Sequence, residues 1–373
     1  MSRKVEEREG QSQRGDESAD AWPLSLSWPL REDLYLCNYR DSLCVLYFPD
    51  DKGVLVPLYK GERLRPISPI PVRAGPLPPV IPPAVPEAEA AYGRLPQATI
   101  YVQNVYETDK FGRLPEGVKI RAMRIVQVFP RTTPLENEPR VSRFTESLVR
   151  ASLGTVPVES DGSVYCEAPV GKEIYFQLLD DRGMAVQSMR SGTYLHAGEK
   201  LACAGCHEGS HRAPSPARSP LALKRGPSPI APELQGQPGL EPVETANFYR
   251  LVKPVLDARC AACHKKKQKG PDMSYQSLRE YLSGFEGRLD TLYKAARGGG
   301  SRTLPGQCGA RVAALYTGGY LTGQSTRCPG NVKLSDDELH RITLWLDLNS
   351  NELGAYHDVP AQKRGELVRP TLE

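Results

Sequence analysis

Cys203-Ala204-Gly205-Cys206-His207 and Cys260-Ala261-Ala262-Cys263-His264 repeat one pattern, C-x-x-C-H, within a single chain. That pattern is the attachment signature of c-type haem. Two thiols three positions apart can bond the two vinyl-derived carbons of one porphyrin, and the adjacent histidine can offer an imidazole nitrogen to the iron. Covalent attachment and proximal ligation by His207 and His264 are therefore written locally, and the expectation is two covalently bound haems. Three rivals stand beside it: zinc held by the four thiolates, a redox dithiol, and unrelated core cysteines. Zinc would require the two pairs to converge across the Pro-rich segment between them, whereas each haem motif is complete by itself. A redox dithiol calls for a βαβ context that the flanking residues lack.

Around the first motif, His211 lies four positions beyond His207, where it could compete for iron or hold a second metal such as zinc. Asp180, Asp181, Gln187, Arg190, Tyr194, His196 and Glu199 precede the attachment site. Arg190 could neutralise a haem propionate, and Tyr194 or His196 could line a pocket; turn and strand-edge roles account for these residues equally well. For the second haem, Met273 is the nearest sulfur donor. His340 is expected on the exposed side of the last helix and His357 in the tail, so neither is assigned as a ligand. Cys37, Cys44, Cys166, Cys308 and Cys328 form no metal-spaced cluster; Cys308 and Cys328 flank a Gly-rich stretch, and either a disulfide or two thiols would fit there.

The elements that must hold these residues fall into a β-rich part and a helical part. With 373 residues the chain has room for two or three domains, and its 34 prolines and 33 glycines imply long irregular connections. Residues 1–24 are polar, and 25–65 hold short strands (Leu34 to Tyr39, Ser42 to Phe48, Val54 to Tyr59) that read as one blade of something larger. A Pro-rich strap follows at 66–97. Period-two and β-branched runs from Ala98 to Val105, Lys119 to Phe129, Gly154 to Val158, Ser163 to Glu167 and Lys172 to Asp180 predict an antiparallel, sandwich-like middle domain over 98–210 carrying the first motif. Residues 211–241 read as an exposed Pro/Ser linker, 242–358 as an all-α domain around the second motif, and 359–373 as a tail. In the α domain, Phe248, Leu251, Val252, Val255 and Leu256 share a helix face, and Ser335 with Glu338 forms a capping-box pair before Leu339, Ile342, Trp345 and Leu346. Leu278 to Leu282 and Gly287 to Ala296 predict two further short helices.

The net charge of +4, from 48 basic and 44 acidic residues, gives no warrant for nucleic acid as a partner. Lys265, Lys266, Lys267 and Lys269, next to the second motif, could instead steer an acidic redox partner, or form a solvated charge run. No apolar run reaches about eighteen residues, so no membrane span is expected. Haem c maturation implies a periplasmic or other extracytoplasmic compartment, yet Met1 to Asp20 has no apolar signal core. Either the start is misplaced or an upstream part of the gene is missing, and the latter is the expectation, because the first strands begin abruptly and need neighbours.

Gly183-Met184-Ala185-Val186-Gln187-Ser188-Met189-Arg190, Gly198-Glu199 and Cys203 to Glu208 resemble the middle domain of the hydrazine synthase alpha-subunit family. Phe129-Pro130-Arg131-Thr132 and Ser68-Pro69-Ile70-Pro71 fit the same group, and the likeness spans roughly residues 25 to 210. Pro254-Val255-Leu256, Cys260 to His264, Leu334-Ser335 and Trp345-Leu346-Asp347 resemble a monohaem cytochrome c-like domain fused behind it. The resemblance implies a propeller in front, a β-rich middle domain with one haem, and a second haem in the C-terminal domain. In that family a tyrosine four residues past the attachment histidine is the proximal ligand, and the histidine turns to zinc; here His211 occupies the tyrosine's position. C-terminal relatives place a Gly-His pair before Val-Lys-Leu as distal ligand. Here Arg327-Cys328-Pro329-Gly330-Asn331 precedes Val332, which leaves Met273, Cys328 or an open position.

The sequence favours a dihaem c-type protein that transfers single electrons outside the cytoplasm. Two alternatives are a multihaem oxidoreductase acting on small nitrogen compounds as substrate, and a propeller-associated binding or scaffold protein.

Overall fold

The computed structural model describes residues 24–50, 52–61, 66–75, 77, 79, 97–108, 113–135, 138–142, 147–189, 191–206, 208–209, 212–215, 219–267, 271–282, 304–325 and 332–371. They fall into two compact units divided at Pro82/Pro83. The architecture is β-sheet regions followed by a C-terminal helical region, with no closed propeller or barrel among the described residues. His207, His211, Arg190, Cys328, Lys269 and the helix expected at 287–296 lie outside the described residues.

The first unit is an open antiparallel sheet of β1 (Leu24–Arg31), β2 (Leu34–Tyr39), β3 (Ser42–Tyr47) and β4 (Val54–Lys60), in sequence order. Arg40 turns the β2–β3 hairpin with a φ of 52°. The strand β1 alternates Leu24, Leu26, Trp28 and Leu30 with Ser25, Ser27, Pro29 and Arg31, and it pairs Leu24 with Tyr39 through Arg31 with Leu34 across two irregularities.

In the second unit, β5 (Ala98–Val102) lies between β8 (Val164–Ala168) and β12 (Lys200–Cys203). A second sheet runs β10 (Ala185–Ser188), β9 (Glu173–Leu179), β6 (Ala122–Phe129), β7 (Val149–Pro157), with β11 (Thr193–Tyr194) also on β9. The expected all-antiparallel domain needs one correction, because β12 pairs parallel to β5. A parallel neighbour demands a long crossover, and nearly a hundred residues, including all of the large sheet and β8, separate β5 from β12. Ile100, Val102, Met123, Ile125, Val156, Val164, Ile174 and Leu178 fill the space between the two sheets.

The other face of the large sheet is covered too. Val126, Val128, Tyr175 and Met184 join one apolar cluster with Phe248, Leu251, Val255, Leu256, Ile342 and Trp345 of the helical region. This explains why β6 reads as a nearly continuous apolar run, as strands buried on both faces do. The helical region comprises α1 (Phe248–Leu251), α2 (Lys253–Leu256), a π-turn at Asp257–Ala261, α3 (Ala262–Lys267), α4 (Tyr275–Leu282), α5 (Ala314–Thr317), α6 (Asp336–Asp347) and α7 (Val359–Lys363). The predicted capping box opens α6: Glu338 N–H donates to Ser335 Oγ at 3.2 Å, and Ser335 N–H donates to Glu338 Oε2 at 2.8 Å.

The segment expected as an exposed linker is mostly exposed, yet it is anchored to the sheets at several points. Ala231 bridges to Thr155 and Ser228 to Cys166, a 3-10 turn forms at Leu221–Lys224, and Ala222 and Leu234 are buried. Gly154, at a bulge in β7, permits the approach: a Cβ there would lie 2.3 Å from the Ala231 carbonyl oxygen, and its φ is +135°.

Candidate functional site

The first motif begins at the end of β12, where Cys203 pairs with Val102 in the parallel ladder. Beyond it the loop is stitched to the segment after β5. Gln103 N–H donates to Cys203 O at 2.9 Å, Asn104 N–H to Ala204 O at 3.3 Å, and Cys206 N–H to Glu107 O at 3.1 Å. Gly205 is required by this approach, since a Cβ would lie 2.0 Å from the Glu107 carbonyl oxygen. Both thiols are half-buried against the core between the sheets. Burial raises the Cys203 thiol, and burial with the neighbouring Cys203 pushes Cys206 up to about 12. They are neutral thiols in this fold, not the low-pKa pair that a redox dithiol uses.

Next to the motif, Arg212 donates to Glu208 Oε2 at 2.7 Å and lies 3.8 Å from Glu107. The other oxygen, Glu208 Oε1, is buried and has no hydrogen-bond partner among the described residues. The polar residues upstream are mostly occupied by structure. Asp180 Oδ1 accepts from the Arg182 and Met184 N–H groups, and its other oxygen pairs with Arg311. Glu199 Oε2 accepts from His196 N–H at 2.8 Å, and Tyr194 is exposed and edge-on to His196 at 5.3 Å.

The second motif sits in an uninterrupted helical run from Lys253 to Lys267. Asn247 caps the start of α1 by accepting from Tyr249 N–H at 2.8 Å. Residues three and four apart share a helix face, so Cys260, Cys263 and His264 are presented together. Cys260 packs against the helical cluster, Cys263 is exposed, and His264 is half-buried with its Nδ1 buried and unpartnered among the described residues. The π-turn at Asp257–Ala261 was not legible in the sequence; such turns are common where a helix carries a site. Arg259, within it, donates to Glu338 at 2.9 Å and ties the motif to the start of α6. Met273, at a φ of 63°, is buried in the same cluster that Cys260 touches. Lys265 and Lys266 are exposed.

The second unit also holds a buried charge cluster. Arg124 of β6 is fully buried and donates to Glu233 at 2.7 and 3.0 Å, to Asp347 Oδ2 of α6 at 3.0 Å and to Gln177 at 2.9 Å. Asp347 also accepts from the Ala185 and Ala310 N–H groups, and Glu233 from Ser152. Burial would lower the Arg124 value, but Glu233 and Asp347 outweigh it and hold the guanidinium charged. Burial raises Asp347, whereas Arg124 overcomes burial at Glu233 and lowers it. His340, expected on an exposed helix face, instead has its Nε2 buried 3.6 Å from Glu233. Sequence separations of 109 and 223 residues hid this cluster, although Arg124 in the middle of an apolar run was a signal.

Cys203, Cys206, Cys260 and Cys263 are all described, and among the described residues no three His, Cys, Asp or Glu side chains are grouped to hold a metal ion. The four-thiolate zinc arrangement is therefore not assembled. Nor does any helix among the described residues have the length and apolarity to cross a membrane. A cavity of about 440 Å³ is lined by Tyr249, Arg250, Lys253, Asp257, Arg341 and Arg364 among others, and none of the four motif cysteines lines it. Its cations have partners: Arg250 with Glu244, Lys253 with Asp257, Arg341 with Gln237 and Arg364 with Glu366.

Residues 118–208 match the family model described as the hydrazine synthase alpha subunit middle domain. The chain is 28% identical over 310 residues to hydrazine synthase subunit alpha of Kuenenia stuttgartiensis, a match covering 62% of this chain and 38% of that protein. A solved structure of Kuenenia stuttgartiensis hydrazine synthase superposes with a TM-score of 0.58 at 20% identity, covering 88% of this chain and 55% of that one. The chain thus spans less than two thirds of either relative, and at that identity the structural likeness speaks to the fold alone.

Proposed function

We propose that the chain is a hydrazine-synthase-alpha-like oxidoreductase acting on small nitrogen compounds. The observation that carries this reading is the extent of the family match: residues 118–208 include Cys203, Cys206 and the residues around them, not merely the sheets. This favours the enzyme over the electron carrier that the sequence first put forward. Electron transfer then becomes the task of the second motif within the enzyme.

Both motifs have a donor set that suits a covalently held haem. Cys203 and Cys206 stand together on a clamped loop, Cys260, Cys263 and His264 share a helix face, and each motif has a buried unpartnered polar atom beside or within it, Glu208 Oε1 and His264 Nδ1. Bound there, haem would supply one-electron chemistry and an iron coordination position. The chain's own contribution is placement. Gly205 lets the first loop close on Glu107, the β5–β12 pairing fixes the two thiols, and Arg259 with Glu338 holds the second motif on α6. His207 and His264 are the proximal candidates, His211 a competitor for iron or the holder of a zinc ion, and Met273 the sulfur donor nearest the second site. The proposed setting is extracytoplasmic, with a redox partner protein delivering electrons near Lys265 and Lys266.

The test is protein matured in a periplasmic c-haem system, examined by absorption in both redox states and exposed to hydroxylamine or nitric oxide. The reading expects a high-spin haem whose spectrum shifts with these compounds, and reductant-dependent turnover lost in Cys203→Ser/Cys206→Ser. Two low-spin haems indifferent to them would return the chain to electron carriage, and absence of haem would leave a scaffold.

A further inference from the structure

Cys37 and Cys44 are directly paired across the antiparallel strands β2 and β3. They are 0% and 1% exposed, and among the described residues of the first unit no other apolar side chain is buried. Around them the sheet shows water a good deal of apolar surface: Val54, Val56, Leu58 and Tyr59 of β4 are all exposed, as are Trp28 and Phe48. A small sheet with so little core lacks the usual source of stability, and such units commonly depend on a covalent staple. Directly opposed residues in an antiparallel ladder hold their Cα atoms about 4.5–5.5 Å apart, within the about 4.4–6.8 Å that a disulfide spans. The Cys37 thiol is raised by burial and then by Cys44, in keeping with two sulfurs facing each other. None of the described cysteines is disulfide-bonded in this structure.

We propose that Cys37 and Cys44 form a cross-strand disulfide that staples the first unit. It uses neither C-x-x-C-H pair, so it leaves haem attachment untouched, and it shares with the proposed function only the extracytoplasmic setting. The oxidant is a thiol–disulfide exchange protein or an oxidised small-molecule disulfide. Two S–H bonds break and one S–S bond forms; the two protons and two electrons pass to the oxidant's disulfide, which leaves as two thiols. Because both sulfurs are shielded once β2 and β3 pair, the bond is made while the hairpin is still open, and thereafter resists reductants that do not unfold the sheet.

The chain itself provides a clean assay, since trypsin cuts at Arg31, Arg40 and Lys52 and so separates the two cysteines into peptides 32–40 and 41–52. Full-length protein from the periplasm is alkylated with iodoacetamide in denaturant and digested without reduction. The two peptides should travel as one cross-linked species and fall apart on reduction. Recovery of both as alkylated peptides, or of either joined to a different cysteine, overturns the proposal. Peptides carrying Cys203 and Cys260 are scored in the same digest, so failure of the haem reading is seen separately.

Discussion

At the scale of single residues, the interior charge cluster makes the sharpest predictions. Arg124→Met leaves Glu233 and Asp347 buried without their cation, and breaking a buried pair from one side costs about 3–5 kcal/mol. Urea unfolding should show that loss; a change below about 1 kcal/mol would mean the carboxylates find other partners. Lysine should restore only part of it, because one ammonium cannot replace a guanidinium that donates to Glu233, Asp347 and Gln177 together. His340 sets a pH dependence. Burial lowers its value, with Glu233 opposing and Arg124, Asp337 and Asp347 also acting on it. As pH falls below about 6.5 the unfolded chain therefore takes up the proton first, and stability declines by up to about 1.4 kcal/mol per pH unit. His340→Gln should flatten that slope between pH 7 and 5, and an unchanged slope would assign it to other groups. Residues at this scale were legible only where chemistry is local. The two C-x-x-C-H runs announce themselves in five positions, whereas Arg124, Glu233, Asp347 and His340 acquire meaning only when distant segments meet.

At the scale of elements, the loop and helix that carry the motifs can be perturbed independently. Gly205→Ala must move a Cβ that would otherwise lie 2.0 Å from the Glu107 oxygen, so attachment at Cys203 and Cys206 should fall while attachment at Cys260 and Cys263 persists. Peptide mass spectrometry of the two sites reads this directly, and equal occupancy at both would show that the clamp does not matter. Ser335→Ala removes the side-chain cap of α6 and should cost about 1 kcal/mol, with absorption at the second site unchanged. The start of this element was readable, since a capping box is a pattern of neighbours. In the large sheet β6, β9 and the end of β7 were readable from periodicity as well, whereas the short β10 and β11 were not. The parallel β12 was not, because period two says nothing about direction. The anchoring of the segment around Glu233 was hidden for a similar reason: Ser, Pro and Arg mark a chain without regular structure, but not whether its irregular backbone is stitched to a strand, as Ala231 is to Thr155.

At the scale of the whole molecule, the sheets and helices of the second unit share one interior. Val126 and Tyr175 of the sheet pack in the same cluster as Phe248 and Trp345, and Arg124 reaches α6 from β6. The two motifs thus stand on opposite sides of a continuous, charge-pinned body, the first against the core between the sheets and the second against the helical cluster. Such a body keeps the two motifs in a fixed relation to each other. The central claim is that both motifs bind haem covalently. It is tested most directly by the intact mass and iron content of the full chain matured with the c-haem machinery. The account predicts two haems per chain, one lost with Cys203→Ser/Cys206→Ser and the other with Cys260→Ser/Cys263→Ser. A wild-type chain that folds with one haem or none would contradict it.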